Sequence, residues 1–175
     1  MNAIEVKDIT KKYDNFRLNH VSLQIPEGSI YGLIGENGAG KTTLINCILG
    51  LVQPNYGDVV VLGSNNFINE VELKNQLGFV INDMGIPNIL TVDKIEEIFS
   101  KIYKHWEHEQ FIKLLKQFEI DAEAKYETLS LGNKMRIAIA IALSHNAKLL
   151  VLDEPMNALD PAIRAEVVEL LIEYT

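Results

Sequence analysis

A glycine-rich segment that ends in lysine and threonine carries the clearest chemistry in the sequence. Gly35–Thr42 reads G-x-x-x-x-G-K-T, a spacing at which a curled backbone points successive N–H groups at one anionic group. Lys41 would add a positive charge for the β- and γ-phosphates of a nucleotide, and the Thr42 hydroxyl would coordinate Mg²⁺. The residues predicted to bind the nucleotide are Gly35, Glu36, Asn37, Gly38, Ala39, Gly40, Lys41, Thr42 and Thr43.

The alternative for this segment is a glycine-rich turn without a ligand. Its flanks favour phosphate binding, because the apolar run Ile30–Ile34 precedes it and apolar residues at helical spacing follow it over Leu44–Leu49. A helix that begins near Lys41 would direct the positive end of its dipole toward the phosphates. The sequence therefore predicts a strand, a phosphate loop and a helix in that order.

A second group of chemically active residues follows another apolar run. Leu149–Leu152 precedes Asp153 and Glu154, and a buried parallel strand would carry both carboxylates to the edge of a sheet where ligands bind. We expect Asp153 to hold Mg²⁺, directly or through water, and Glu154 to orient or deprotonate an attacking water. The alternative is a polar loop after a buried strand. Glu154 and Lys41 are the predicted catalytic residues.

Short β-branched runs and longer helical patterns must position these groups. The first two strand candidates look antiparallel, the third leads into the phosphate loop, and strands then alternate with helices, which predicts an α/β fold with a mainly parallel sheet. We expect one domain over residues 1–175, with a helical subdomain inserted at about 91–145. The predicted strands are Ile4–Ile9, Val21–Ile25, Ile30–Ile34, Val59–Leu62, Leu77–Ile81 and Leu149–Leu152, and helices are predicted over 91–118 with a break at Lys104–Glu109, from Ser130, and from about Pro161.

Charge and composition exclude several classes of protein. The 175 residues carry 16 Lys and Arg against 24 Asp and Glu, a net charge of −8, which argues against nucleic-acid binding because neutralising phosphates needs clustered basic side chains. No apolar run approaches the roughly 20 residues of a membrane span, no secretory signal is visible, and the single cysteine, Cys47, cannot form an internal disulfide. We therefore expect a cytoplasmic protein without a nucleic-acid partner.

The segment between the two sites decides among the nucleotide-binding families. Leu129–Arg136 reads LSLGNKMR and resembles the signature loop of ABC-type ATPases, usually written LSGGQ. The order of phosphate loop, helical insert, signature loop, carboxylate strand and Asn157–Asp160 is similar to that of an ABC transporter nucleotide-binding domain, over nearly the whole chain. The resemblance implies a P-loop NTPase fold of the ABC type, with ATP and Mg²⁺ as cofactors.

The resemblance also implies roles for five further residues. Tyr13 lies where the family stacks an aromatic ring on adenine. Asn82 lies at the position of the Q-loop glutamine, which touches Mg²⁺ or water, although Asn is shorter by one methylene group. Ser130 and Gly132 match signature residues that reach the γ-phosphate held by the other subunit of a dimer, and Asp160 matches the D-loop aspartate.

Besides Asn82, three further departures from the family pattern are visible. Leu131 replaces the first signature glycine and Asn133 replaces the glutamine. The family's switch histidine would follow a strand after the helix that begins near Pro161, whereas His20, His105, His108 and His145 all precede that helix. The sequence therefore looks like a domain truncated before its last strands.

The resemblance implies an ATP-binding subunit that hydrolyses ATP in a two-fold dimer and drives a separate membrane protein, at the inner face of the cell membrane. The wording of the phosphate loop and the Ser-Leu-Gly signature look more similar to bacterial export-type subunits than to importer subunits. Two alternatives stay open: a non-transport ABC ATPase of translation or DNA repair, and a module that binds nucleotide without hydrolysis. A GTPase is disfavoured because no [NT]-K-x-D motif occurs.

Overall fold

The computed structural model describes residues 1–65, 69–81, 84–157 and 159–174. The chain divides into two compact units, Met1–Lys74 and Asn75–Tyr174. In chain order the elements are β1 Asn2–Tyr13, β2 Phe16–Pro26, α1 Lys41–Ile48, β3 Tyr56–Val61, α2 Val71–Lys74, β4 Leu77–Val80, α3 Val92–Ile102, α4 His108–Gln117, a 3₁₀ turn at Tyr126–Thr128, α5 Leu131–Leu143, β5 Leu149–Leu152 and α6 Pro161–Tyr174.

The first unit is built on an antiparallel sheet. Its three strands lie in the order β2–β1–β3, and β1 and β2 form a hairpin that ends with Tyr13 opposite Phe16. Apolar residues of β1 such as Val6 and Ile9 are buried. β-Branched residues are common in strands because they pack well on the buried face of a sheet. Helix α1 adds its own buried face, including Cys47. The predicted antiparallel N-terminal strands are confirmed.

The strand predicted at Ile30–Ile34 is wrong. No strand is assigned there, and Ile34 is 94% exposed. β-Branched side chains favour extended backbone, but a strand also needs a neighbour for its N–H and C=O groups, and no described strand pairs with this run. The described strands therefore comprise three antiparallel ones and one parallel pair, a larger antiparallel share than the sequence predicts.

The second unit contains the parallel pair and most of the helices. β4 and β5 pair in parallel from Leu77 opposite Leu149 to Val80 opposite Leu152. Helix α5 is buried along most of its length, which fits its Ile- and Ala-rich sequence because a helix apolar on all sides belongs in a core. α3, α4 and the break between them lie where the sequence predicts them. A single domain with a helical insert at 91–145 stays a prediction.

A buried histidine joins α5 to β4 in the second unit. His145 is fully buried; its Nδ1 lies 2.9 Å from the Ile141 carbonyl oxygen and its Nε2 lies 3.2 Å from that of Leu77. Its ring stacks on Tyr103 with centroids 3.8 Å apart. Burial lowers the pKa of His145, although the two carbonyl contacts oppose that shift. This histidine is part of the core.

Among the described residues, no helix is both long enough and apolar enough to span a membrane.

Candidate functional site

The phosphate loop connects an irregular segment to the start of α1. Gly40 precedes the helix with a φ of 98°, and no side chain caps the helix at this point. The positive φ suits glycine because other residues have a Cβ that crowds the backbone there. The Ala39 N–H donates to the Glu36 carbonyl at 3.2 Å and closes the turn. The start of α1 thus has no side-chain cap, an arrangement typical of anion sites.

Lys41 folds back over this loop. Its ammonium Nζ donates to the carbonyl oxygens of Gly35 at 2.9 Å and of Glu36 at 3.0 Å. These contacts hold a positive charge across the loop that precedes its own helix. A phosphate that entered the loop would offer the ammonium charged oxygens in place of neutral carbonyls, and hydrogen bonds to charged groups are the stronger ones.

An aromatic residue of the β1–β2 hairpin, Phe16, lies beside this loop, and Tyr13 is its neighbour. A Cβ placed on Gly40 would be only 2.7 Å from Phe16 Cζ and 3.1 Å from Leu18 Cδ1, so the Phe16 ring packs directly on the Gly40 backbone. Tyr13 is 49% exposed, and its ring centroid lies 6.4 Å from that of Phe16. Tyr13 is therefore half exposed and one ring away from Gly40, with Lys11 Nζ 5.5 Å from its ring centroid. The supporting role of Phe16 has no motif of its own; an aromatic residue at the hairpin turn is its only sequence signal.

In the second unit, the carboxylates lie at the carboxyl end of β5. Asp153 is only 3% exposed, and its N–H donates to the Val80 carbonyl at 2.8 Å. This bond continues the parallel pairing past the end of the strand, and it places the Asp153 backbone at the sheet edge that the sequence predicts. Carboxylates are rarely buried to this degree without partners or a function.

Glu154 begins a tight turn in an uncommon backbone conformation. Its φ is 50°, in the left-handed region, which costs about 1–2 kcal/mol for a residue with a side chain. The Asn157 N–H donates to the Glu154 carbonyl at 3.1 Å, and Asn157 Nδ2 donates to the Glu154 carboxylate Oε2 at 2.5 Å. Backbone strain of this kind clusters at functional sites. Sequence reasoning missed the part that Asn157 plays here.

The signature segment caps α5. Ser130 is the N-cap, and its Oγ accepts a hydrogen bond from the Asn133 N–H at 3.1 Å. Leu131, which begins the helix, is 65% exposed, and Gly132 follows it. An N-cap serine at an exposed helix start is a suitable place for an anion.

The segment after the second carboxylate caps α6. Asp160 Oδ1 accepts from the Ile163 N–H at 3.2 Å, so the helix begins at Pro161 as the sequence predicts. Asn82, predicted to touch Mg²⁺, and Ala158, within the Asn157–Asp160 segment, lie outside the described residues.

The structure thus brings predicted residues together within each unit. In the first unit Tyr13 neighbours Phe16, which packs on Gly40 of the loop, and in the second unit Asp153 and Glu154 directly follow β5. Within the described ranges, no group of three or more His, Cys, Asp or Glu side chains is arranged to hold a metal ion. The predicted metal ligands Thr42, Asp153 and Asn82 all have side-chain oxygen donors, which is the donor type that Mg²⁺ prefers.

A model of the ABC transporter family matches residues 18–157, a range that includes the phosphate loop, the signature segment and both carboxylates. The chain belongs to the ABC transporter family.

Among curated relatives of this ABC chain, the bacitracin transport ATP-binding protein BcrA of Bacillus licheniformis is 37% identical over 161 residues, which are 90% of the chain and 53% of that protein. The probable multidrug ABC transporter ATP-binding protein YbhF of Escherichia coli is 34% identical over 94% of the chain and 29% of that protein. The chain thus spans about half or less of these two relatives.

Solved ATP-binding cassettes share the fold of this ABC chain. An ATP-binding subunit of an ABC transporter superposes with a TM-score of 0.85 at 25% identity, over 98% of the chain and 74% of that structure. The cassette MJ0796, in a dimeric post-hydrolysis state with ADP and Pi, superposes with a TM-score of 0.81 at 28% identity, over 96% and 81%. These matches confirm the α/β P-loop fold of the ABC type.

Proposed function

We propose that this ABC chain is an ATP-binding subunit that hydrolyses ATP to drive a separate membrane protein. The observation that carries the proposal is the Lys41 ammonium, which donates to the Gly35 and Glu36 carbonyls across a loop that opens onto an uncapped helix start. A positive charge held beside backbone N–H groups is suited to a triphosphate tail.

Binding would divide between the two ends of the nucleotide. The exposed Tyr13 ring offers a face for adenine, since stacking needs only a flat π surface. The loop residues bind the phosphates, with Lys41 on the β- and γ-oxygens and Thr43 in the first turn behind it. Phe16 supports this arrangement through its contact with Gly40.

Hydrolysis would depend on the carboxylates of the second unit. We assign Glu154 to orient a water molecule and to accept its proton as the water attacks the γ-phosphate. Thr42, Asp153 and Asn82 are the proposed ligands of Mg²⁺, directly or through water. When bound, Mg²⁺ supplies neutralisation of charge on the phosphate oxygens.

Partners would complete the assembly. Ser130, Gly132 and Asp160 are proposed to act in trans in a two-fold dimer with a like subunit, and dimeric cassettes among the solved relatives support this. We place the chain in the cytoplasm, on the inner face of the cell membrane and against an integral membrane subunit. Export is the favoured direction, on the wording of the phosphate loop and the Ser-Leu-Gly signature; the relatives include a bacitracin transport protein and a probable multidrug transporter, and also two proteins named for import.

The proposal is tested by ATP turnover of the full-length protein with its membrane partner. Glu154→Gln keeps the size of the side chain but removes the base, so turnover should fall at least about 100-fold, while ATP binding persists. Glu169→Gln, an exposed glutamate of α6, is the matched control and should keep the wild-type rate. Turnover by Glu154→Gln at the wild-type rate would contradict the role given to Glu154.

The same preparation tests the two alternatives. ATP that is bound without phosphate release in the wild-type protein would favour the binding-only module. Co-purification with ribosomes or DNA, in place of a membrane protein, would favour a non-transport ABC ATPase.

A further inference from the structure

We infer that Asn157 is a positioning residue for hydrolysis, because its side-chain amide fixes the direction of the Glu154 carboxylate. The inference rests on the proposed role of Glu154 and goes beyond it, since the motifs assign no role to Asn157. It derives from one juxtaposition: Asn157 Nδ2 lies 2.5 Å from Glu154 Oε2.

Two contacts of different kinds hold these residues together. The Asn157 N–H donates to the Glu154 carbonyl at 3.1 Å and closes the turn through the backbone. The side-chain amide makes the second contact, to the carboxylate itself. The turn can therefore form without the side chain of Asn157, whose amide contributes a donor directly to the carboxylate.

A glutamate in this position needs such a contact to act reproducibly. Ordering a glutamate side chain costs conformational entropy, and Glu154 is only partly buried. A donor on Oε2 fixes the rotation of the carboxylate about its last bond and thereby the direction in which Oε1 points. Fixing a base before the reaction is a recognised source of catalytic rate.

The amide group is suited to this task. It donates a hydrogen bond to an anionic oxygen, and such charge-assisted bonds are shorter and stronger than neutral ones. It carries no charge and does not titrate, so it does not compete with Glu154 for the proton of the water. The left-handed backbone of Glu154 sets the start of its side chain, and Asn157 sets its end.

The test compares two variants of Asn157 in the full-length protein. Asn157→Leu preserves the approximate size but removes the N–H donors, and Asn157→Gln keeps the carboxamide on a longer arm. We expect Asn157→Leu to lower kcat about tenfold, the size of effect given by a hydrogen bond to a charged group. The KM and the equilibrium Kd for ATP should stay within about twofold of wild type, since the contact is not to the nucleotide. Asn157→Gln should recover most of the lost rate.

Three results would overturn the inference: an unchanged kcat in Asn157→Leu, a KM that rises in step with the fall in kcat, or an Asn157→Gln variant as slow as Asn157→Leu. If Asn157→Leu unfolds at a lower temperature than wild type, Asn157→Ala, which also lacks the donor, replaces it in the comparison.

A double variant separates this inference from the proposed function. In the Glu154→Gln background, Asn157→Leu should lower the residual single-turnover rate no further, because it acts through Glu154; an additive loss would overturn the inference. An inactive Glu154→Gln beside a fully active Asn157→Leu would remove only the inference. A fully active Glu154→Gln would remove the proposed function.

Discussion

The phosphate loop and the turn at Asp153–Asn157 are both assigned to the proposed ATP hydrolysis, but they are held in different ways. The loop is shaped by backbone: Gly40 has a φ of 98° without a side-chain cap, and Lys41 contacts the carbonyls of its own loop. The carboxylate turn is shaped by packing, since the Asp153 N–H is bound to Val80 of a strand distant in sequence. The phosphate loop is built from residues that are close in sequence, whereas the carboxylate turn depends on the pairing of β4 with β5.

This difference explains why the phosphate loop has a recognisable residue spacing over its whole length, whereas the carboxylate site does not. Backbone conformation depends on residue type at each position, so the loop requires glycines at particular places. A buried strand accepts many apolar sequences of suitable size, so only the carboxylates after it stand out. Substitutions in the phosphate loop should therefore lower the affinity for ATP. Substitutions in the strands that hold the carboxylate turn should lower the free energy of unfolding.

The largest effect on ATP affinity is expected from Lys41→Ala. Removing the ammonium deletes its hydrogen bonds to the phosphates, so the Kd for ATP should rise about 10- to 150-fold, from roughly 1.5–3 kcal/mol per charged hydrogen bond. Titration of ATP measures the change, with Lys7→Ala, an exposed lysine of β1, as the control. Equal affinity in Lys41→Ala and wild type would contradict the assignment of the loop.

Gly78→Ala tests the packing that holds the carboxylate turn. A Cβ there would lie 2.5 Å from Leu150 Cδ2 and 2.7 Å from the Ala142 carbonyl oxygen, so the free energy of unfolding should fall by about 1–3 kcal/mol. The single tryptophan, Trp106, lies in the second unit and reports its denaturant unfolding. Gly32→Ala, whose Cβ would meet nothing within 4 Å, is the matched control; an equal loss in both would refute the packing argument.

Acid should weaken the second unit through His145. Burial lowers its pKa below the usual 6.5, so below about pH 6.5 the unfolded chain binds a proton that the folded unit does not. The free energy of unfolding should therefore fall with decreasing pH, by at most about 1.4 kcal/mol per pH unit, until the folded-state pKa is passed.

Unfolding followed by Trp106 between pH 5 and pH 8 checks this expectation. His145→Gln should flatten the pH dependence, whereas His105→Gln, at a position outside the core, should not. A slope that persists unchanged in His145→Gln would assign the acid sensitivity to another group.

The smallest effect is expected at Ser130, where capping and phosphate binding are separable. Ser130→Ala removes the bond from the Asn133 N–H and should cost about 1 kcal/mol of stability. Ser130→Asp retains a capping oxygen but adds a negative charge, so stability should persist while ATP-driven dimerisation is lost. Dimerisation measured by light scattering with ATP, and unchanged in Ser130→Asp, would leave Ser130 as a helix cap alone.

The sequence predicts those parts of the fold whose causes are local. The antiparallel character of the first two strands, the break between α3 and α4, and the helix starts at Ser130 and Pro161 follow from turn residues, apolar periodicity and capping preferences. The phosphate loop is of the same kind. Its chemistry is readable because glycine, lysine and threonine are each needed for a stated reason.

Other features were decided only in three dimensions. Ile30–Ile34 has strand-like composition but no described strand beside it, and composition cannot specify a partner. Phe16 against Gly40 and His145 between α5 and β4 depend on contacts between residues far apart in sequence. Asn157 is only three residues from Glu154, but the contact of its amide with the carboxylate needs a turn with a left-handed backbone at Glu154. The residue types do not predict that backbone conformation. The chain's residue types therefore determined which chemistry is available, and packing determined which side chains hold it in place, because burial and hydrogen-bond partners exist only once distant segments meet.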